Sequence, residues 1–500
     1  MAGTQQPPAR GVSFRMVEGR RGSTPAGRAS LAAAAAAVDP QLGSEIEAER
    51  DWRRRYGVHL HALVEAELRS PGDAGAVPRA GLDACYEQVE FVRDRHAVPL
   101  TQAVELAGER LHTAQVRGHG PTAPLEVPYR GRALIGDELA RQVDRWVGAG
   151  IVEPSFGDAF DRLAAHPEWF DLSRFTVVVL GAGAELGPLA HLCRWGARVV
   201  PIDLPRPGLW ERILRTVRAG SGTAIIPLHH RVGRSADDAE LAAAAGVDLR
   251  TGLPELARWL ETLPGPLTIG AYAYAHGAEH VLVALAQDAL ALHLLAHGEQ
   301  VSLAGLLTPT DVYAVPEAVV TASRARYDAT GPLSRVSRSL TLGRAFAPNY
   351  PGTIRTADGA RYGVADAIVL QQGPNYALAK RLQRWRLRLA RHEDVRVSAN
   401  VAPATRTRSV ISNRVLAAAY RGAPNFEVEV FEPDTASALM AALLAHDLHR
   451  PPATPAPGTP IPHELELFTE AAAHGGLWRN PYAAGSVLPL AAALGLVRPG

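Results

Sequence analysis

The segment that most constrains the fold of this chain covers residues 175–205 and reads FTVVVLGAGAELGPLAHLCRWGARVVPIDLP. It joins an apolar β-branched run, a glycine-rich turn, a helical stretch and a second apolar run that ends at Asp203. Gly181, Gly183 and Gly187 allow the backbone to approach a phosphate closely, and a helix that starts there offers N–H donors. An acid about 20 residues after the first glycine can bind ribose hydroxyls. The segment predicts a nucleotide-binding strand–helix–strand unit.

The residues after this unit continue to alternate between short apolar runs and amphipathic stretches. Such alternation is typical of an α/β protein with a doubly wound parallel sheet of the Rossmann type. We predict further strands at residues 223–228, 266–275, 301–312, 395–401 and 426–434, and a buried amphipathic helix at residues 280–297.

The same pattern predicts the organisation of the whole chain. The Rossmann-type domain covers residues 171–450, and its insertion at residues 313–374 is interpreted as a lid or substrate-recognition subdomain because long loops are often functional. The flanking regions are predicted to be a disordered tail (1–42), an all-helical domain (43–170), a proline-rich linker (451–462) and a helical C-terminal extension (463–500).

Charge and cysteine content exclude several classes of partner. The chain has 52 basic and 51 acidic residues, a net charge of +1, which argues against nucleic acid or an anionic membrane as the main partner. Its 2 cysteines provide neither a disulfide framework nor a metal cluster, so we expect a cytoplasmic protein. His229 and His230 have no Cys, Asp or Glu beside them at ligand spacing, and no metal is expected.

Tyr376 and Lys380 are the most informative pair of polar residues. Four residues make about one helical turn, so the phenol and the ammonium share one face of the predicted helix. Lys380 is the sole lysine of the chain, and every other basic side chain except histidine is arginine. An exposed helix pair has the same spacing, but a solitary lysine favours a catalytic role. A neighbouring cation lowers the pKa of a phenol, which suits acid–base work on an alcohol or carbonyl.

In this order the motifs resemble the short-chain dehydrogenase/reductase family over a little more than half of the chain. GAGAELG at residues 181–187 resembles the glycine-rich turn, and Asp203 the acid after the second strand. Asp248-Leu249 resembles the pair that contacts adenine. Tyr376 and Lys380 match the family's Tyr-x-x-x-Lys, and RVSANVAPATRT at residues 396–407 resembles the strand and loop that follow.

The resemblance implies the remaining site residues and also shows departures. Glu185 stands at a usual glycine, Ala271-Tyr272-Ala273-Tyr274 replaces Asn-Asn-Ala-Gly, and Gln287 or Asp288 replaces the helix asparagine. Thr308 or Thr310 is expected in place of the assisting serine. The expected cofactor contacts are Gly181, Gly183, Glu185, Leu186, Gly187, Asp203, Arg206, Asp248, Leu249, Ala271, Tyr272, Lys380, Pro403, Ala404 and Thr405.

What the resemblance implies is an NAD(P)-dependent oxidoreductase that transfers hydride between nicotinamide and a carbonyl/alcohol substrate. Tyr376 would be the acid/base, and Lys380 would lower its pKa and hold the nicotinamide ribose. NAD is favoured because Asp203 repels a 2′-phosphate, although Arg206 could attract one. A homodimer or homotetramer is expected. The alternatives are an S-adenosylmethionine-dependent methyltransferase on a similar unit and a catalytically inactive dinucleotide-binding scaffold or sensor.

Overall fold

The computed structural model describes residues 10–450 and 464–497, apart from residues 18, 71, 73–74, 234, 299 and 332–337. The N-terminal region combines short strands with helices: β1 (Gly11–Phe14), β2 (Met16–Val17), β3 (Arg20–Arg21), α1 (Ser23–Ala36), α2 (Pro40–Glu47), α3 (Trp52–Arg69), α4 (Ala76–Glu87), β4 (Val89–Arg93), β5 (His96–Val98) and α5 (Leu100–Ala103). The disordered tail predicted for residues 1–42 is therefore wrong for residues 10–42, except residue 18; residues 1–9 lie outside the described chain. Alanine is the best helix former, and α1 buries its alanine-rich face.

The next segment also contains strands, so the all-helical domain predicted for residues 43–170 is wrong. Its elements are β6 (His112–Arg117), β7 (Val127–Tyr129), β8 (Arg132–Leu134), α6 (Asp137–Gly148), α7 (Pro154–Ala165) and a 3₁₀ turn (Pro167–Phe170). β6 pairs antiparallel with a strand that follows it by about a hundred residues, and so belongs to the central sheet.

The central strands alternate with helices, and two helices lie between the third and fourth of these strands. They are β9 (Thr176–Leu180), α8 (Leu189–Arg194), β10 (Arg198–Ile202), α9 (Pro207–Ala219), β11 (Thr223–Leu228), α10 (Asp238–Ala244), α11 (Leu253–Glu261), β12 (Leu267–Ala271), α12 (Ala278–His297) and β13 (Val301–Leu307). β9 is buried at every position, as expected of a strand covered on both faces.

The remaining elements form an insertion and the C-terminal part of the fold. They are β14 (Val312–Pro316), α13 (Glu317–Asp328), β15 (Ile354–Arg355), β16 (Arg361–Asp366), a 3₁₀ turn (Leu370–Gln372), α14 (Pro374–His392), β17 (Val397–Val401), α15 (Arg408–Ser412), α16 (Arg414–Gly422), a 3₁₀ turn (Ala423–Phe426), α17 (Pro433–His449), a 3₁₀ turn (Glu464–Phe468) and α18 (Ala484–Val497). β14, β16 and β15 make a separate antiparallel sheet.

Seven strands form the central sheet in the order β17-β13-β12-β9-β10-β11-β6. Every neighbouring pair is parallel except β11 and β6. Counted along the chain, the six parallel strands have the spatial order 3-2-1-4-5-6, which is that of a Rossmann-like α/β fold. The prediction of an α/β fold with a mostly parallel sheet is confirmed.

The strand predicted at residues 426–434 is absent, because other backbone occupies the position beside β17. Ala473 N donates to Val401 O at 3.0 Å, so the C-terminal segment takes the outer edge of that strand. Residues 426–434 contain a 3₁₀ turn, an extended stretch and the start of α17, and only Phe431 forms an isolated bridge, to Thr405. Among the described residues of the predicted C-terminal extension (463–500), the helical elements are the 3₁₀ turn and α18. The predicted linker at residues 451–462 lies outside the described residues.

A continuous apolar core joins the N-terminal region to one face of the central sheet; its members include Val12, Leu63, Val178, Leu285 and Trp385. α1 and α4 cover α14, which packs along α12. Gly81 of α4 lies so close to the Trp385 ring that an added Cβ would be 2.4 Å from it. α12 is long and apolar enough to cross a membrane by composition alone, but 72% of its apolar window is buried inside the protein.

Candidate functional site

A cavity of about 220 Å³ lies where the parallel strands end and the chain turns away from the sheet. Leu186 follows β9, Tyr274 follows β12, Thr308 follows β13, and residues 402–405 follow β17, and all of them line this cavity. Ligands in open α/β sheets bind at such carboxyl ends of strands. α14 adds Tyr376 and Lys380 to the same wall. Residues from five distant segments therefore meet at one place.

Tyr376 lines the cavity and carries a protonated phenol at neutral pH. Burial raises the pKa of Tyr376 to about 12, against the opposing effect of a hydrogen bond with the Thr308 side chain. The expectation that Lys380 lowers this pKa is therefore wrong. The reason is that the nearby protein atoms desolvate the phenolate, while the ammonium is directed to other acceptors.

Lys380 is held by two acceptors of its own. Its Nζ donates to Leu306 O at 3.0 Å and to Gln383 Oε1 at 3.1 Å. Burial lowers the pKa of Lys380 to about 8, although the side chain keeps partial exposure towards the cavity. A fraction of the amine is consequently neutral near physiological pH.

Thr308 and Thr310 form a short chain of hydroxyl groups behind Tyr376. Thr308 Oγ1 lies 2.8 Å from Thr310 Oγ1, which donates to Gln372 Oε1 at 2.8 Å. Tyr313 fixes the same segment because its hydroxyl donates to Thr308 O at 2.6 Å. Of the two threonines, Thr308 contacts the phenol and lines the cavity, whereas Thr310 supports it.

Two aromatic side chains that sequence reasoning missed complete this environment. The rings of Tyr274 and His280 lie 6.5 and 5.7 Å from the Tyr376 ring, centre to centre. Burial lowers the pKa of His280 to about 3, with smaller contributions from Lys380 and His276. Tyr274 follows β12 at the position of the glycine in the family's Asn-Asn-Ala-Gly. A tyrosine in place of that glycine was the sequence signal that could have identified Tyr274 as a site residue.

Of the described residues of the insertion, only the last few line the cavity. Gln371 and Gln372 line the cavity, while β14, β15 and β16 pack against α3. The predicted lid at residues 313–374 is therefore a separate small sheet whose end forms part of the wall. The part of it at residues 332–337 lies outside the described chain.

A second group of predicted residues meets at the end of β10. Asp203 accepts hydrogen bonds from Gly183 N at 2.7 Å and Leu204 N at 2.8 Å. Val247 N donates to Asp203 O at 2.8 Å, which places Asp248 beside it. Burial raises the pKa of Asp203, and Arg206 is among the charges that oppose this rise.

The glycine turn itself differs from the prediction, because the helix after it starts late. α8 begins at Leu189 and has 6 residues, so its N-terminus is not at the glycines. Gly181 has φ +85°, and an added Cβ would lie 2.4 Å from the Ala273 backbone; this glycine thus permits the contact between two strand ends. Most N–H groups of the turn already bind protein oxygens.

Glu185 connects the glycine turn to the loop after β17. Its carboxylate accepts from Arg408 N at 2.9 Å, and the Arg408 guanidinium lies 3.9 Å away. The departure from glycine at this position therefore has a structural consequence, because the carboxylate ties the glycine turn to the start of α15.

Four predicted cofactor residues lie outside both groups. Gly187 contacts Ala184 O and Ser437, and Leu249 is buried in the apolar core. Ala271 lines a small cavity of about 30 Å³ behind the sheet. The Tyr272 ring packs against a separate cluster of buried apolar residues, which includes Val177 and Leu192, and burial raises the pKa of Tyr272 strongly.

The helix positions expected to replace the family asparagine have other contacts. Gln287 Oε1 accepts from Ala273 N at 3.2 Å, and Asp288 pairs with Arg386 at 2.7 Å. His229 and His230 are exposed, and no group of three potential metal-ligating side chains converges in the described residues.

Comparison with family models, with curated proteins and with solved structures finds no match to this chain. The resemblance to the reductase family therefore rests on the sequence motifs alone and stays a prediction.

Proposed function

We propose that the protein is an NAD(P)-dependent reductase of the short-chain dehydrogenase/reductase type that acts on a carbonyl substrate. The observation that carries the proposal is the shared cavity of Tyr376, Thr308 and Lys380 with Leu186 of the glycine turn and Thr405 of the loop after β17. These are the residue types that this chemistry needs, and they come from separate segments of the chain.

The residues present fit a dinucleotide at its two ends. Asp203, beside Gly183 and Asp248, would hold the ribose of the adenosine half. Lys380, Pro403, Ala404 and Thr405 would hold the nicotinamide half. The bound cofactor supplies hydride to the carbonyl carbon. Glu185 fits less well, since its carboxylate would have to leave Arg408 or lie beside the pyrophosphate.

Tyr376 suits the direction of reduction. A phenol with a pKa of about 12 is fully protonated at neutral pH, and an alkoxide is basic enough to take its proton. Thr308, which is hydrogen-bonded to the phenol, would orient it. Its single hydroxyl proton would have to turn away from Thr310 to be donated to the same carbonyl oxygen. Lys380 is a positioning residue for the nicotinamide ribose and contributes positive charge to the site.

The carboxylate of Asp203 favours NAD over NADP because it repels a 2′-phosphate. Arg206 is close enough to affect the pKa of Asp203 and would attract that phosphate. Titration calorimetry of the full chain with NADH, NADPH and S-adenosylmethionine distinguishes these cases. Binding of S-adenosylmethionine alone would replace the reductase proposal with a methyltransferase.

Replacing Tyr376 with Phe tests the proposed proton donor. We expect a loss of carbonyl reduction of about 10²-fold or more, with nicotinamide binding preserved, because only the hydroxyl is removed. The readout is oxidation of NADH or NADPH with a panel of aldehydes and ketones. Tyr420→Phe is the matched control, since Tyr420 lines the same cavity and has no proposed role in proton transfer. Equal turnover by Tyr376→Phe and the wild type would refute the mechanism.

A catalytically inactive dinucleotide-binding scaffold is the second candidate, and the contact between Glu185 and Arg408 favours it. A carboxylate held at this point of the glycine turn would repel a pyrophosphate. Binding of NADH without oxidation by any carbonyl of the panel, in the wild type and in Glu185→Gln, would support the scaffold.

A further inference from the structure

A second cavity, of about 210 Å³, lies at the outer edge of β17 and shares no lining residue with the Tyr376–Lys380 site. Its walls come from α7, the C-terminal ends of α14 and α17, the first half of β17 and residues 467–471. Four arginines line it, namely Arg162, Arg391, Arg396 and Arg450. Three acids, Asp158, Asp447 and Glu470, belong to the same lining, so the proposal of a ligand depends on which arginines these acids neutralise.

The acidic residues of this cavity are largely engaged with other protein groups. Asp447 accepts from Ser398 Oγ at 2.6 Å and from Asn400 Nδ2 at 3.0 Å, and it contacts His446 Nδ1 at 3.0 Å. These contacts use both carboxylate oxygens of Asp447.

Glu470 is engaged as well, because it forms an ion pair with Arg450. The third acid, Asp158, lies exposed at the rim. The carboxylates inside the cavity therefore leave three of the four arginines without an acidic partner.

The donors of these three arginines are mostly unused. Across the part of the chain that the structure describes, the guanidinium groups of Arg162 and Arg391 have no hydrogen bond or ion pair. Arg396 donates one N–H to Leu448 O at 2.7 Å, which fixes its position. A guanidinium has five donors and no acceptor, so the ligand that satisfies this site must be rich in acceptor oxygens.

We propose that this cavity is a binding site for a phosphate group, either free or as a small monoester, held by Arg162, Arg391 and Arg396. The planar fork of arginine matches the geometry of phosphate oxygens. Partial burial of Arg391 and Arg396 reduces the screening of their charge by water. The volume accommodates several water molecules, and therefore a phosphate with a small substituent.

Titration calorimetry of the full chain with inorganic phosphate and with glycerol 3-phosphate tests the site. We expect saturable binding that weakens with added salt and falls by about tenfold or more in Arg391→Gln and in Arg162→Gln, the usual loss for one charge-assisted contact. Tighter binding of the monoester than of phosphate would identify the ester as the ligand.

Arg54→Gln is the control, because the side chain of Arg54 is 84% exposed and far outside the cavity lining. Neither Arg162 nor Arg391 has a side-chain hydrogen bond or ion pair in the described residues, and glutamine keeps much of the aliphatic stem, so folding, checked by circular dichroism, is expected to be unchanged. The site is refuted if the wild type binds neither probe, or if both cavity variants bind phosphate as tightly as Arg54→Gln does. Neither result depends on nicotinamide binding.

Discussion

The surroundings of Lys380 lower its pKa, although no charged group pairs with it in the described residues. Its ammonium is directed to Leu306 O and Gln383 Oε1, both neutral acceptors. Burial without a carboxylate explains why the pKa of Lys380 falls to about 8. Holding the protonated amine in this buried position therefore lowers the free energy of unfolding at neutral pH. Functional residues commonly reduce stability in this way.

We expect this cost to appear in the pH dependence of stability. Between pH 8 and 10.5 the unfolded chain keeps the proton of Lys380 while the folded chain loses it, so the free energy of unfolding rises with pH. Relative to Lys380→Met, the wild type should gain at most about 3 kcal/mol from pH 7 to pH 10, less to the extent that water enters the cavity. Urea denaturation of both proteins at several pH values measures this difference.

Parallel pH curves for the two proteins would contradict the prediction. Because Lys380 is the sole lysine, ¹⁵N-lysine labelling gives a single side-chain ammonium resonance whose titration midpoint is independently expected near pH 8. The methionine variant also loses two hydrogen bonds, but that loss is the same at every pH and leaves the slope unaffected.

The helix α14 shows the limits of sequence reasoning for a whole element. Arginine is mostly exposed in folded proteins, yet Arg381 and Arg384 of this helix are each 2% exposed. Both donate to Asp311, at 2.5 and 2.7 Å. Burial by itself would raise the pKa of Asp311, but the two guanidinium groups hold it below its ordinary value. The helix that presents Tyr376 is thus anchored by a buried ionic network.

Replacing Asp311 with Asn tests this anchor. The change leaves two buried guanidinium groups without a negative partner, and we expect the free energy of unfolding to fall by about 3–5 kcal/mol. Asp51→Asn is the comparison, because its ion pair with Arg54 is largely exposed and is worth about 1 kcal/mol or less. Chemical denaturation measures both, and similar small losses in the two variants would show that the buried network contributes little.

At the scale of the whole molecule, the N-terminal region is part of the same core as the sheet. Residues of β1, α3, α12 and α14 belong to one apolar cluster. Glu67 of α3 also pairs with Arg388 of α14 at 2.8 Å, with both side chains buried. The N-terminal region therefore stabilises the helix that carries Tyr376 and Lys380.

We expect the N-terminal region and the central sheet to unfold in a single cooperative transition, because a shared core couples them. Calorimetry measures the number of transitions, and the fluorescence of Trp52 and Trp385, which lie in that cluster, should change together with circular dichroism. Two separated transitions would contradict the coupling. Glu67→Gln should lower the midpoint of the whole transition.

The packing of the N-terminal helices on α14 also limits which surfaces can form a homo-oligomer. The resemblance implies a dimer or tetramer through the helices that correspond to α12 and α14, but α1 and α4 of the same chain cover α14. The close contact between Gly81 and Trp385 leaves no room for a partner helix there. The face of α14 that α1 and α4 cover is therefore not available to a partner subunit.

The sequence by itself determined the features that depend on neighbouring residues. These are the strand–turn–helix–strand unit, the parallel strands β11, β12, β13 and β17 after it, and the helix with Tyr376 and Lys380 on one face, since periodicity and turn residues act locally. The tertiary structure decided the strand pairings, hydrogen bonds and pKa shifts that depend on residues far apart in the sequence. It added β6 to the sheet, gave the edge of β17 to the C-terminal segment, turned Glu185 towards Arg408 and raised the pKa of Tyr376. Burial and long-range pairing set each of these, and neither has a local signal.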